Sequence, residues 1–297
     1  LAYNSASYNV FVGNEAGELI DDGEYNVAIG YTAGQYATGS QNTFVGADAG
    51  KGGTTSAPYS SGGSNVALGY QALKTFTTGY SNTAIGKGAA DSLTSGYSNV
   101  AVGVNSLGLL TSGERNTALG EGAGQNITEA GLNTVVGYNA LKLASTSEGH
   151  TAIGAGALHT TNAGSNNTAV GLNSLYMNSG GSNNVVMGKS AAFYTLDSNN
   201  AIIGLEAGFY ATGSNNSFFG YQAGRGGTSS APYSSGTQNT ALGYQALTGF
   251  TTGTNNVAIG YQASAALTTA TMTVTIGYLA GNSITTGGSN IMIGREA

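Results

Sequence analysis

Few residues in this 297-residue chain are spaced to do chemistry. Gly46-x-x-x-Gly50-Lys51-Gly52 has the glycines and lysine of a phosphate-cradling loop. It has one residue too few between the glycines, no Ser or Thr after the lysine, and no helix to follow, so it reads as a glycine-rich turn. Asp21-Asp22-Gly23-Glu24 is the only acidic cluster, and oxygen ligands of this kind suit Ca²⁺. It lacks the spacing of a calcium loop and reads as a solvated turn. His150 and His159 stand without Cys or a suitably spaced acid, so a metal site is not expected there. Serines are abundant, but no nucleophile–base constellation recurs. Fourteen scattered acidic residues offer no glycosidase-like pair. No residue is assigned a catalytic, cofactor-binding or metal-binding role, and no enzyme activity is expected.

The eighteen tyrosines carry more information. Tyr31, Tyr70, Tyr138, Tyr221, Tyr244, Tyr261 and Tyr278 each follow a glycine of the same local pattern. An exposed row of this kind could stack on sugar rings. Covering an edge, or packing between chains, also suits an amphipathic ring and is the expected role.

Composition limits the partners. Charged residues are 7% of the chain and the net charge is −6, with eight basic residues spread singly. Nothing here would displace counterions from a nucleic acid, so DNA and RNA are not expected partners. No apolar run is long enough for a membrane helix, and no signal-like segment opens the chain. With no cysteine, disulfides and thiolate chemistry are excluded. Gly supplies 50 residues, yet hydrophobic residues are 40%. A chain so apolar and so uncharged must bury itself in something regular.

That regularity is a repeat. Asn82-Thr83-Ala84-Ile85-Gly86, with Ala89 three residues later, is one copy. Asn256-Val257-Ala258-Ile259-Gly260 with Ala263 is another. Seventeen copies begin at 9, 26, 42, 65, 82, 99, 116, 133, 150, 167, 184, 200, 216, 239, 256, 273 and 290. The step is 17 residues in eleven cases, 16 in three and 23 in two. Position 5 is always Gly and position 4 always apolar. Position 8 is Ala apart from Ser106 and Ser174, and position 1 is Asn apart from His150 and Thr273.

The segment around Gly50–Gly62 returns 174 residues later around Gly224–Gly236, so a ten-coil block is duplicated within one continuous domain, 1–297. The two long steps make enlarged coils at 42–64 and 216–238.

A short apolar run rich in Val, Ile and Thr, bounded by Asn and Gly, predicts a strand between turns. One circuit of a β-solenoid with two short strands fits the period. In-register stacking at about 4.8 Å per coil predicts a rod on the order of 77 Å long. The expected ladders comprise Asn82, Asn99, Asn116, Asn167 and Asn256 at a corner, and Gly86, Gly103, Gly120, Gly171 and Gly260 at the following bend. Ala89 and its equivalents fit where the coil is thin. Position 3 is apolar in every copy but Thr275, so both strand faces are apolar. One coil covers only one of them, and a symmetric bundle of chains would cover the other. Six surplus residues cannot enter the ladders and should bulge outward. The bulges place Pro58–Tyr59 and Pro232–Tyr233 as candidate contacts for a sugar or a neighbouring chain. The alternative is a loop copied along with its block.

Asn-x-Ala-Ile-Gly-x-x-Ala, as in residues 82–89, resembles the head repeat of trimeric autotransporter adhesins. The fuller Asn-Thr-Ala-Leu-Gly-Tyr-Gln-Ala-Leu at 239–247 is similar to repeats of phage-type tail-fibre proteins and related bacterial surface proteins. The likeness spans the whole chain. It implies a trimer of left-handed parallel β-rolls used for attachment. The family's coils are shorter, and its anchor, coiled-coil stalk and C-terminal chaperone do not occur here. The chain opens without Met and stops at Ala297, so a piece of a longer protein is expected.

The resulting expectation is an all-β parallel β-solenoid of about seventeen coils, trimeric and extracellular, on a virion or a bacterial surface. It acts as a non-catalytic fibre or adhesin segment, with itself, surface glycans or other fibre proteins as partners. No cofactor and no membrane insertion are expected. A carbohydrate-binding module is the alternative, and a polysaccharide depolymerase a more distant one.

Overall fold

The computed structural model describes residues 8–53, 59–160, 164–178, 180–194, 197–229 and 233–297. The fold is an all-β parallel β-solenoid, and no helix occurs among the described residues. Two compact units divide the chain, Leu1–Gly149 and His150–Ala297.

The first unit carries eight strands, from β1 (Val10–Val12) to β8 (Thr134–Val136). The second carries nine, from β9 (Thr151–Ile153) to β17 (Ile291–Ile293). Each strand is three residues long and occupies positions 2–4 of its copy. Within the first unit every strand pairs in parallel with the next, like position on like. The second unit follows the same rule. The enlarged coils keep it: Thr43 faces Val66 and Ser217 faces Thr240. Their surplus residues therefore lie outside the ladders, as expected.

Two strands per coil are expected from the sequence, but among the described residues each coil has one. The cause is backbone sign. Positions 7, 9 and 17 adopt positive φ in coil after coil, as at Gln71 (59°), Leu73 (51°) and Ser81 (55°). Alternating signs of φ curl the chain into turns, closed by short bonds such as Leu93 N–H to Ala90 O at 3.2 Å. These turns still stack: Leu73 N–H donates to Ala89 O at 2.9 Å and Thr77 N–H to Thr94 O at 2.8 Å.

The core runs through the middle of the coils. Position 3 is buried in both units, for example Ala84, Phe44, Val186 and Phe218, while positions 2 and 4 stay half-buried or exposed. Ala at position 8 is buried, and so are the large residues at position 12, among them Phe76, Leu93, Ile127 and Phe250. Where position 3 is Ala, position 9 is often Leu, as in Ala67 with Leu73 or Ala241 with Leu247. Where position 3 is Phe, position 9 is Gly: Phe44 with Gly50, Phe218 with Gly224. The pairing holds the filled volume of each layer nearly constant, as close packing demands.

Candidate functional site

The asparagine ladder is the best-defined polar array. Asn82 N–H donates to Asn65 Oδ1 at 3.0 Å, and Asn82 Nδ2 donates to the same oxygen at 3.2 Å and to Gly96 O at 2.9 Å. One amide thus joins neighbouring coils and also ties the start of its own coil to its end. Asn99, Asn116 and Asn256 repeat the three bonds, the last closing on Ala270 O at 2.8 Å. All four are buried, so each bond is made away from water. Asn167 closes its coil on Gly181 O at 2.8 Å, but its N–H donates to His150 Nδ1 at 3.2 Å. The buried imidazole thus stands in for an amide, and burial lowers its pKa to about 4. At Thr273 the backbone N–H still reaches Asn256 Oδ1, at 3.1 Å.

The glycines expected at the bend do sit at a forced position. Gly86, Gly103, Gly120, Gly171 and Gly260 all have φ between 129° and 134°. A Cβ on Gly86 would stand 2.6 Å from Gly103 O, and on Gly171 2.7 Å from Gly188 O. Ala89 is buried.

The sequence reading misses a second ladder. Thr77, Thr94, Thr111 and Thr128 each direct both N–H and Oγ1–H to the carbonyl of the corresponding residue one coil on. Thr251 and Thr268 do the same. Its signal is present in the recurring Thr-Thr-Gly and Thr-Ser-Gly, which mark a turn but also a rung.

Outside the coils, positions 2, 4 and 6 form parallel exposed rows. Leu68 is 46% exposed and Leu242 49%. Tyr31, Tyr70 and Tyr138 lie exposed in the first unit. In the second unit Tyr221, Tyr244, Tyr261 and Tyr278 stack with ring centres 5.0, 5.0 and 5.2 Å apart, and Arg295 lies over Tyr278 at 5.5 Å. Beside them Gln262, Gln245 and Gln222 pass hydrogen bonds of 2.8 Å down to Glu206. Stacked rings present edges rather than faces to solvent, so this row is more a covered edge than a set of sugar platforms.

A second aromatic column occupies position 10 of successive coils. His159, Tyr176, Phe193 and Phe209 stack at 4.8, 4.9 and 5.2 Å, and Arg225 continues the column 5.5 Å from Phe209. His159 is thus a stacking residue, with Nδ1 3.2 Å from Thr160 Oγ1.

The loop tyrosines are placed against rings rather than standing free. Tyr59 stacks on Tyr36 with centres 6.4 Å apart, and Tyr233 on Tyr194 at 4.5 Å and Tyr210 at 6.0 Å. Pro58 and Pro232 lie outside the described residues.

The glycine run around Lys51 has packing roles. Gly46 passes beneath Gly69, Gly50 lies on the Phe44 ring and Gly52 on Tyr36. Lys51 pairs with Asp48 at 3.5 Å. Burial pushes the Asp48 carboxyl up, but bonds from Thr32 and Gln71 and the Lys51 charge outweigh it and hold its pKa below the ordinary value. Among the described residues no three His, Cys, Asp or Glu side chains group as metal ligands, and no helix is long and apolar enough to cross a membrane. A cavity of about 400 Å³ opens at the last coil between Leu279, Ile284, Met292 and Ala297, with Glu296 its one titratable lining group. No protein-family model, curated protein or solved structure matches this chain.

Proposed function

We propose that the chain is a non-catalytic structural segment of an extracellular attachment fibre or adhesin, and that it self-associates through its outward strand face, as a trimer. One observation carries the reading. The solenoid fills its own interior with position 3, yet keeps Val, Ile and Leu at positions 2 and 4 on the outside of coil after coil. Val66, Leu68, Leu119, Ile153, Val185, Ile203 and Leu242 are all more than a third exposed. Regular apolar rows of this length are costly in water and useful against a partner of the same period. A second copy has that period by construction, and a closed ring of copies would leave no face uncovered.

The test is light scattering coupled to gel filtration, beside adhesion of the purified chain to host or bacterial surfaces. A trimer mass is expected, together with adhesion that falls when Leu68→Lys and Leu119→Lys break the face. A soluble monomer would overturn the self-association, and absence of adhesion to any surface the attachment role.

A further inference from the structure

The enlarged coils build the same small constellation twice. In the first unit Tyr59 stacks on Tyr36 with 17° between planes, Lys51 Nζ lies 6.0 Å from the Tyr36 ring centre, and Lys51 meets Asp48 at 3.5 Å. In the second unit Tyr233 stacks on Tyr210 with 15° between planes, the Arg225 guanidinium lies 4.8 Å from the Tyr210 ring centre, and its Nε donates to Glu206 at 3.4 Å. Gly52 and Gly226, at φ 96° and 95°, let the chain pass against these rings; a Cβ on either would stand 3.0 Å from the Cβ of Tyr36 or Tyr210. All four tyrosines are half-buried, which holds the rings while leaving part of each in water.

The two blocks have diverged around this arrangement. Thr32 in one corresponds to Glu206 in the other, Asp48 to Gln222 and Lys51 to Arg225, each pair 174 residues apart. The carboxylate has moved to the neighbouring coil, yet the cation beside the ring still meets one. In the first unit Asp48 accepts from Thr32 Oγ1 at 2.6 Å. In the second Glu206 accepts from Gln222 Nε2 at 2.8 Å. Folding does not ask for this. The ladders close in register without the surplus residues, and other coils do without a cation at position 10. A pair of rings with one cation and one carboxylate survives while the individual residues change.

We infer that the two constellations are binding sites for a neutral, extended glycan. The C–H face of a sugar packs on Tyr59 or Tyr233, and its hydroxyls bond to the Lys51–Asp48 or Arg225–Glu206 pair. The ring supplies apolar contact at low entropic cost, with its hydroxyl as a polar handle. The paired charges supply donor and acceptor side by side. Because the charges cancel locally, an anionic polymer gains nothing from them, and nucleic acid or acidic polysaccharide is disfavoured. Two sites on one chain make the second binding event intramolecular for a polymer long enough to span them. The inference rests on the attachment reading, but not on self-association.

The test uses an array of cellohexaose, mannohexaose and maltohexaose with polygalacturonate as the acidic comparison. The wild-type chain is expected to bind at least one neutral hexasaccharide and its parent polymer. Tyr59→Ala or Tyr233→Ala alone should weaken polymer binding about tenfold through lost avidity, and the double variant should abolish it. Thermal midpoint and mass by light scattering should not move. If the double alanine variant melts early, Lys51→Met with Arg225→Met carries the test, since each keeps the aliphatic stem and removes the hydroxyl-binding charge. Binding confined to polygalacturonate, no neutral binding, or wild-type binding by a folded double variant would each overturn the inference. A monomer that still binds neutral glycan would end the self-association reading and leave this one standing.

Discussion

Gly224 lies directly on the Phe218 ring: a Cβ added to it would stand 2.5 Å from three ring carbons. The two residues are six apart, at positions 9 and 3 of one coil, and they share one volume. In the coil that begins at Asn239 the same two places hold Leu247 and Ala241, both buried.

The shared volume predicts strong non-additivity. Phe218→Ala alone should cost about 3–5 kcal/mol, the range for a buried Phe. Gly224→Leu alone should cost several kcal/mol, because leucine meets the ring and takes on a left-handed backbone. Together they copy the neighbouring coil, and the double variant should be much less destabilised than the sum. Urea unfolding of all four proteins measures the coupling, and an additive double variant would sink the shared-volume account.

A ladder rung should be worth more than one hydrogen bond. Asn116 Oδ1 accepts from Asn133 N–H at 3.1 Å, and Asn116 Nδ2 closes the coil on Ala130 O at 2.9 Å. Asn116→Ala leaves buried donors and an acceptor unmet, a loss of roughly 3 kcal/mol at about 1–3 for each orphaned group. Asn116→His, which copies His150, should lose less at pH 7. Equal loss in both variants would show that the ring cannot replace the amide.

Protonation of His150 gives a pH dependence of known sign. Burial lowers its pKa from 6.5 to about 4, so the unfolded chain takes the proton first. The stability from this site is intact above about pH 6.5, declines as pH falls through that value, and levels off below about pH 4. The full span is on the order of 3 kcal/mol. His150→Asn should remove this part of the slope. Urea midpoints of both proteins between pH 7.5 and 4.5 should diverge, and parallel curves would remove His150 as the source.

The bend glycine should matter most inside the stack. A Cβ at Gly171 would press on Gly188 O at 2.7 Å, whereas at Gly294 its nearest neighbour is Ala297 Cβ at 3.8 Å. Gly171→Val is expected to cost upwards of about 3 kcal/mol, and Gly294→Val nearer 1, since the second pays only for backbone strain. Thermal midpoints compare them. Equal shifts would mean that stacking is not what makes this glycine necessary.

Much of the coil was legible because its ladders are made of residues with one reason to be there. Asn at position 1 and Gly at position 5 name their own hydrogen bonds and backbone angles. The rest of the circuit was harder. Leu73, Leu107 and Leu158 take φ near 50°, and nothing about leucine announces that. The fully buried side chains offset the backbone strain. A second strand was expected there because that signal is silent. The aromatic column from His159 to Arg225 was also hidden, since its members share a position but no residue type. The loop tyrosines were found by sequence, while the cation and carboxylate beside them needed the fold to bring neighbouring coils together.

The asparagine ladder has a sense of direction. Every rung offers its carbonyl oxygen to the coil that follows and receives from the coil that precedes. Within each unit the array is therefore a vector, with an accepting end and a donating end. A coil arriving in the opposite sense would set acceptor against acceptor and find no bond. Growth of such a protein by copying is confined to whole coils joined head to tail, and a 174-residue duplication that leaves every register intact is what that confinement permits.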